Sequence, residues 1–145
     1  MLNTIFSKGS IPVLEQMLYF TEERAKVISN NIANADTPGF VPKDLPVDSF
    51  KSALLQAVSE AQKREVPTVL FEGVDGARPK PKGGLNIDYA PREPWAYMKH
   101  DRNAFSIEQE ISEMNKNTSM HYTVASILAQ QLSIIREAIS EKING

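Results

Sequence analysis

The chain has 145 residues, of which 41% are hydrophobic and 23% are charged, so length and composition indicate one folded domain rather than a disordered segment. The formal net charge of −2 gives no overall attraction to nucleic acid or to an anionic membrane. The absence of cysteine excludes a disulfide framework, a thiolate nucleophile and a cysteine zinc site.

Residues 1–11 lack the features of a secretory signal peptide. Lys8 follows the first apolar residues, and the segment has neither a long apolar core nor a small-residue cleavage site. No apolar run approaches the roughly 20 residues that a membrane-spanning helix needs. The residues alone therefore predict a cytoplasmic protein.

The first predicted element is a long helix over residues 10–35. Ser10 is a suitable N-cap, and Pro12 falls in the first turn, where a missing N–H does no harm. Mainly apolar residues recur at alternating steps of four and three, the heptad pattern of a helix that packs along another helix. These residues are Leu14, Leu18, Thr21, Ala25, Ile28, Ile32 and Ala35.

The end of this helix carries an unusual concentration of asparagine, a residue that competes with the helix backbone for hydrogen bonds and favours caps and turns. The asparagines are Asn30, Asn31 and Asn34. Pro38 forces Thr37 out of helical geometry, and Gly39 suits the position of a type II turn that requires positive φ. We predict that this segment holds the following chain in a fixed geometry. An ordinary helix C-terminus with no further role is the alternative.

The middle of the chain is predicted to be mostly extended. A short helix is expected over residues 47–61, with Asp48 as its N-cap. Five prolines and four glycines between residues 67 and 94 exclude helix over most of the rest. Residues 69–71 and 85–89 are each short enough for a strand, and we predict that they pair as a small β-hairpin.

A third, very long helix is predicted over residues 106–143, with Ser106 and Gln109 as a capping-box pair. Two rows of mainly apolar residues run along it. The first row is Ile111, Met114, Thr118, His121, Ala125, Leu128, Leu132, Ile135 and Ile139. The second row is Met120, Val124, Ile127, Ile134 and Ala138, interrupted by Gln131. Because one antiparallel partner covers one row, two rows indicate neighbours on both sides. Either the short helix covers the second row in a bundle, or several chains assemble side by side.

No residue pattern indicates an enzyme. His100 and Asp101 are adjacent in sequence, an arrangement that rarely orients a base and its carboxylate, and His121 reads as a packed helix residue. Nucleotide-binding and metalloprotease motifs are absent, and two histidines without cysteine argue against zinc. The basic stretch at residues 78–82 could lie along phosphates, but flanking acidic residues favour a solvated loop. We predict no cofactor, no metal, no small-molecule substrate and no nucleic acid partner.

The run ISNNIANADTPGF at residues 28–40 closely resembles the N-terminal signature of the flagellar rod, hook and hook-associated proteins. The following VPKDL at residues 41–45, leading to Phe50, is similar to the proximal rod proteins among the flagellar basal body rod proteins. Residues 106–139 also resemble the C-terminal helix of those proteins. The two matches lie at the two ends of the chain, and residues 59–98 contribute little to them.

The resemblance implies a structural subunit of the flagellar basal body, which builds the proximal rod by helical polymerisation and is required for flagellum assembly and motility. It implies contacts with other copies of the chain, other rod proteins, the adaptor between rod and inner-membrane (MS) ring, the MS ring and the export gate. It also implies a place on the periplasmic side of the inner membrane, reached through the flagellar type III system without a cleaved signal peptide. This expectation replaces the cytoplasmic one. A soluble helical adaptor that binds one partner helix is the alternative.

We therefore predict a mainly α fold in a single domain, residues 1–145. Helices at residues 10–35 and 105–145 are expected to pack as an antiparallel coiled-coil-like pair. Residues 36–104 are expected to form the turn, a short helix and a small β-hairpin or extended Pro/Gly-rich segment. The residues of the family turn are Asn30, Asn31, Asn34, Asp36, Thr37, Pro38, Gly39, Phe40 and Asp44. The expected assembly interface comprises Leu14, Leu18, Ala25, Ile28, Ile32, Ile111, Met114, Val124, Ile127, Leu128, Leu132, Ile134, Ile135 and Ile139.

Overall fold

The computed structural model describes residues 11–63, 71–81, 83–91 and 107–143. The helices are α1 (Ile11–Ala33), α2 (Val47–Lys63) and α3 (Ile107–Ile143). The strands are β1 (Lys43–Asp44), β2 (Ala77–Pro79), β3 (Leu85–Ile87) and β4 (Ala90–Pro91). β1 pairs antiparallel with β4, and β2 pairs antiparallel with β3. The predicted mainly helical class with a small antiparallel strand region is confirmed.

Helices α1 and α3 run antiparallel, as their side-chain hydrogen bonds show. Asn31, near the end of α1, contacts Glu110 near the start of α3, whereas Thr21 contacts His121, further along α3. Positions therefore rise along α1 as they fall along α3. Within the described ranges, neither helix has the length and apolar content required to cross a bilayer.

Helix α1 lies between α3 and a layer built from the middle of the chain. Val13, Phe20 and Val27, spaced by seven residues, belong to one hydrophobic cluster. The other buried members of that cluster are Leu45, Phe50, Leu54, Ala77 and Leu85. The neighbouring row of α1, one residue further along, is also buried and consists of Leu14, Thr21 and Ile28. This row faces α3, because the Thr21 hydroxyl contacts His121. Two adjacent buried faces explain why α1 is largely enclosed.

Helix α2 packs on α1 through aromatic contacts. The rings of Phe20 and Phe50 stack with their centroids 3.9 Å apart, and Phe71 meets Phe50 edge-on at 5.1 Å. The described part of this cluster contains no residue of α3. The short helix is therefore not the cover that a bundle would need for the second row of α3.

The predicted helices at residues 10–35 and 106–143 are confirmed as α1 and α3, while Ser10 and Ser106 lie outside the described residues. The short helix begins at Val47, as predicted, but Asp48 is not its N-cap. The Phe50 N–H donates to the carbonyl of Pro46 at 2.9 Å, which places Asp48 inside the first turn. A carboxylate there still faces the positive end of the helix.

The predicted pairing of the hairpin was wrong. β3 pairs with β2 at Ala77–Pro79, not with residues 69–71. Phe71 lies outside any strand and packs on Phe50 instead, and residues 69 and 70 lie outside the described part of the chain. The connecting loop closes through a Lys80 N–H bond to the Gly84 carbonyl, 3.0 Å. Pro79 is tolerated because a two-stranded sheet consists of edge strands, where a missing donor costs little.

Candidate functional site

The turn after α1 is built largely as the sequence predicts. The Asn30 carbonyl at the helix end accepts both the Asn34 backbone N–H at 3.2 Å and the Asn34 side-chain amide at 2.8 Å. The Phe40 N–H donates to the Thr37 carbonyl at 3.1 Å, and Gly39 has a φ of 75°. Pro38 and Gly39 therefore occupy the central positions of a type II turn, as expected.

Gly39→Val is expected to destabilise the folded chain by roughly 1–3 kcal/mol, because a β-branched residue is strained at this backbone conformation. No atom lies within 4 Å of the position that a Cβ would take, so the cost comes from the backbone alone. Gly39→Asn is the matched control, since asparagine tolerates positive φ. Urea unfolding of the purified variants measures both changes. Equal stability of Gly39→Val and Gly39→Asn would show that the turn is not conformationally demanding.

Asn31 fixes the chain that follows the turn. Its amide nitrogen donates to the Lys43 carbonyl at 2.8 Å and to Glu110 Oε2 at 3.0 Å, and its oxygen accepts the Lys43 N–H at 3.0 Å. Asn31 is fully buried, and Glu110 is 1% exposed. We call Asn31, Lys43 and Glu110 the Asn31 clamp. It joins α1, β1 and α3 at one point.

Arg24 makes a second contact of the same kind. Its guanidinium reaches both Asp44 carboxylate oxygens at 3.3 Å and Glu113 Oε2 at 2.8 Å. Burial disfavours the charged guanidinium, but Asp44 and Glu113 outweigh it and raise the pKa of Arg24. Hydrogen bonds from Lys116 and then Arg24 lower the pKa of Glu113 despite its partial burial. We call Arg24, Asp44 and Glu113 the Arg24 clamp.

The α3 side of the helix pair is a row of four buried residues at seven-residue spacing, and most of them are polar. This buried row consists of Glu110, Asn117, Val124 and Gln131. Asn117 donates to the Thr21 carbonyl at 2.8 Å, and the Thr21 hydroxyl lies 2.8 Å from His121 Nδ1. A polar residue at such positions sets the register of two helices at some expense of stability.

The residues expected at the assembly interface fall on both sides of this buried row. On α1, Leu14 and Ile28 are buried, while Leu18, Ala25 and Ile32 are half-buried. On α3, Val124 is buried, and Met114, Ile127, Leu128 and Ile135 are half-buried. The exposed members, at 47–56% exposure, are Ile111, Leu132, Ile134 and Ile139.

The contact of α3 with α1 runs along one position of the second row, where Val124 and Gln131 belong to the buried row. The first row loses Ile111, Leu132 and Ile139 to the surface, whereas the second row supplies Val124 to the interior. The buried row continues this position towards the start of α3, because the polar side chains of Glu110 and Asn117 find partners on α1. A search for apolar periodicity misses such a seam, although the seven-residue spacing of its polar members is visible in the sequence.

The family-turn residues divide into a buried and an exposed group. Asn31 is buried, and Asn34, Phe40 and Asp44 are half-buried. The exposed members are Asn30, Asp36, Thr37, Pro38 and Gly39. The structure therefore ties the turn to α3 through Asn31 and Asp44. Asn31 contacts Glu110 directly, whereas Asp44 is linked to Glu113 through Arg24, and sequence reasoning did not identify these connections.

An open depression of about 450 Å³ lies beside the Arg24 clamp and continues along residues 45–49. Its lining combines the apolar residues Leu45, Pro46 and Val47 with acidic side chains and the paired Arg24. The described part of the chain holds no cluster of three or more side chains suited to a metal ion. The Asn31 and Arg24 clamps provide structural contacts between α1, β1 and α3.

The chain is similar to known proteins of the flagellar basal body. The family described as "Flagella basal body rod protein" matches residues 21–40, the second half of α1 and the turn. The chain is 31% identical to the flagellar basal body rod protein FlgB of Aeromonas hydrophila over 122 residues, which cover 81% of this chain and 82% of that protein. It is 31% identical to FlgB of Bacillus subtilis (strain 168) over 116 residues, 79% of each chain.

A third relative spans still more of the chain. FlgB of Aquifex aeolicus (strain VF5) is 28% identical over 135 residues, covering 89% of this chain and 91% of that protein. The chain thus belongs to the FlgB family of flagellar basal body rod proteins.

Proposed function

We propose that the chain builds the proximal rod by packing α3 side by side with helices of neighbouring subunits. One observation carries the proposal. In the described part of α3, Val124 is the single apolar residue buried in the subunit. The large apolar residues of α3 that remain 47–56% exposed are Ile111, Met120, Leu132, Ile134 and Ile139.

Exposed apolar residues in such numbers along one helix indicate a surface that another protein covers. Within the described part of the chain α2 does not cover them, because it packs on a different face of α1 through Phe50 and Leu54. The exposed residues lie on both flanks of the buried row, which supports contacts with more than one neighbour. A heterologous contact of this kind extends into a helical assembly instead of closing as a dimer.

The same contacts and the family resemblance also support a more detailed proposal for the helix pair and its partners. The antiparallel course of α1 and α3, with buried positions spaced by seven residues on each, supports a coiled-coil-like pair. Membership of the rod family supports self-association and contacts with other rod proteins in the basal body. The resemblance extends the proposal to the adaptor, the MS ring and the export gate. It also supports type III export, without a cleaved signal peptide, to the periplasmic side.

Site-specific photo-crosslinking in cells tests the proposal. A photoreactive residue placed at Leu132 or Ile134 is expected to form adducts with other copies of the chain or with other rod proteins. The same residue at Phe50, inside the subunit core, is the control and should give no such adduct. Adducts from Leu132 and Ile134 that contain only one non-rod protein would favour the helical adaptor and contradict rod assembly.

A further inference from the structure

The two clamps share one arrangement. In each, a donor side chain on α1 reaches an acceptor in β1 and a carboxylate on α3 at the same time. Asn31 joins the Lys43 carbonyl to Glu110, and Arg24 joins the Asp44 carboxylate to Glu113. The two donors lie seven residues apart and therefore face the same side of α1.

Because one donor side chain binds both acceptors of a clamp, the position of each acceptor depends on the position of the other. The carboxylates on α3 hold the Asn31 amide and the Arg24 guanidinium in the positions from which they also bind β1. The clamp residues are largely withdrawn from water, with the Arg24 side chain 11% exposed and Asn31 fully buried. In such surroundings a hydrogen-bonded network is worth more than the sum of its separate bonds.

We propose that docking of α3 and placement of β1 are thermodynamically coupled through Asn31 and Arg24, which act as positioning residues. β1 and its partner β4 then adopt their fixed geometry when α3 docks, although the sheet that they form does not include that helix. The register Lys43–Pro91 and Asp44–Ala90 carries the coupling into the middle layer. The inference concerns the single subunit and does not depend on how subunits assemble.

Residue-resolved amide exchange on the purified full chain tests this coupling. The Lys43 N–H donates to Asn31 Oδ1 at 3.0 Å, and the Leu45 N–H donates to Asp44 Oδ1 at 2.8 Å, so each amide reports on one clamp. Glu110→Ala is expected to accelerate exchange at Lys43 about tenfold, the usual effect of losing a charged hydrogen bond. Glu113→Ala should do the same at Leu45, and it remains informative if Glu110→Ala fails to fold.

Val124→Ala is the matched control. It loosens the same helix pair but belongs to neither clamp, so it should accelerate exchange along α1 and α3 without singling out Lys43 or Leu45. Coupling is also reciprocal, so Asp44→Ala should accelerate exchange in the first turns of α3. Unchanged exchange at Lys43 and Leu45 in both glutamate variants, or an equal acceleration there in Val124→Ala, would overturn the proposal.

Discussion

Leu132→Asp and Ile134→Asp are expected to abolish swimming while leaving the subunit folded. Both residues are 49% exposed, and surface substitutions usually change the free energy of unfolding by no more than about 0.5 kcal/mol. In an assembled rod the same positions would lie against a neighbouring helix. An unpaired aspartate buried there costs several kcal/mol and is repeated in every subunit. The expected defect is therefore in assembly, not in folding.

Two controls separate apolar contact from charge and from folding. Gln130→Asp adds the same charge at an exposed polar position of α3, and Ile134→Val keeps an apolar side chain. Both should swim. Urea unfolding of the purified chains and the cellular amount of each variant would exclude instability. Normal motility of Leu132→Asp and Ile134→Asp would mean that this part of α3 faces solvent in the rod, and lateral packing through it would be wrong.

The sequence was sufficient for the helices, because their signals are local. Prolines and apolar spacing predicted α1, α2 and α3 close to the observed bounds, although the N-cap predicted for α2 was wrong. The type II turn was also predictable, since Pro38 fixes its own φ and Gly39 tolerates the positive φ that the next position requires. The pairing of β3 was not predictable, because the partner of a strand in a two-stranded sheet depends on which segment the packing of the core brings beside it. Here the core places Phe71 on Phe50 and leaves Ala77–Pro79 as the partner.

The contact between α1 and α3 was harder to predict, because it also depends on which groups the fold brings together. Apolar rows on α3 are visible in sequence, but the surface that packs on α1 is decided by which polar groups find partners. Asn117 is buried because the Thr21 carbonyl lies opposite, and Glu110 is buried because Asn31 does. Arg24 could not be linked to Asp44 and Glu113 before the fold was known, since the three are distant in sequence. Rows left exposed by a polar contact remain available to neighbouring subunits.

Asn31→Ala is expected to be the most damaging single change in the turn, destabilising the subunit by about 3 kcal/mol or more. The substitution removes three hydrogen bonds at once, one each to the Lys43 N–H, the Lys43 carbonyl and the Glu110 side chain. A lost hydrogen bond costs about 0.5–1.5 kcal/mol, and one to a charged group about 1.5–3 kcal/mol. Since small domains are stable by only about 5–15 kcal/mol, a large share of the folding free energy is lost.

Two further variants test whether that cost comes from the buried clamp. Asn30→Ala changes the same residue type one position earlier, where it is exposed, and should cost much less in urea unfolding. Asn31→Asp keeps an acceptor for the Lys43 N–H but removes both donors and places a second carboxylate beside Glu110. It should therefore also be less stable than Asn30→Ala in urea unfolding, because two neighbouring carboxylates repel each other. If Asn31→Ala were no less stable than Asn30→Ala, the clamp would be dispensable, and the asparagines of the turn would serve only to end the helix.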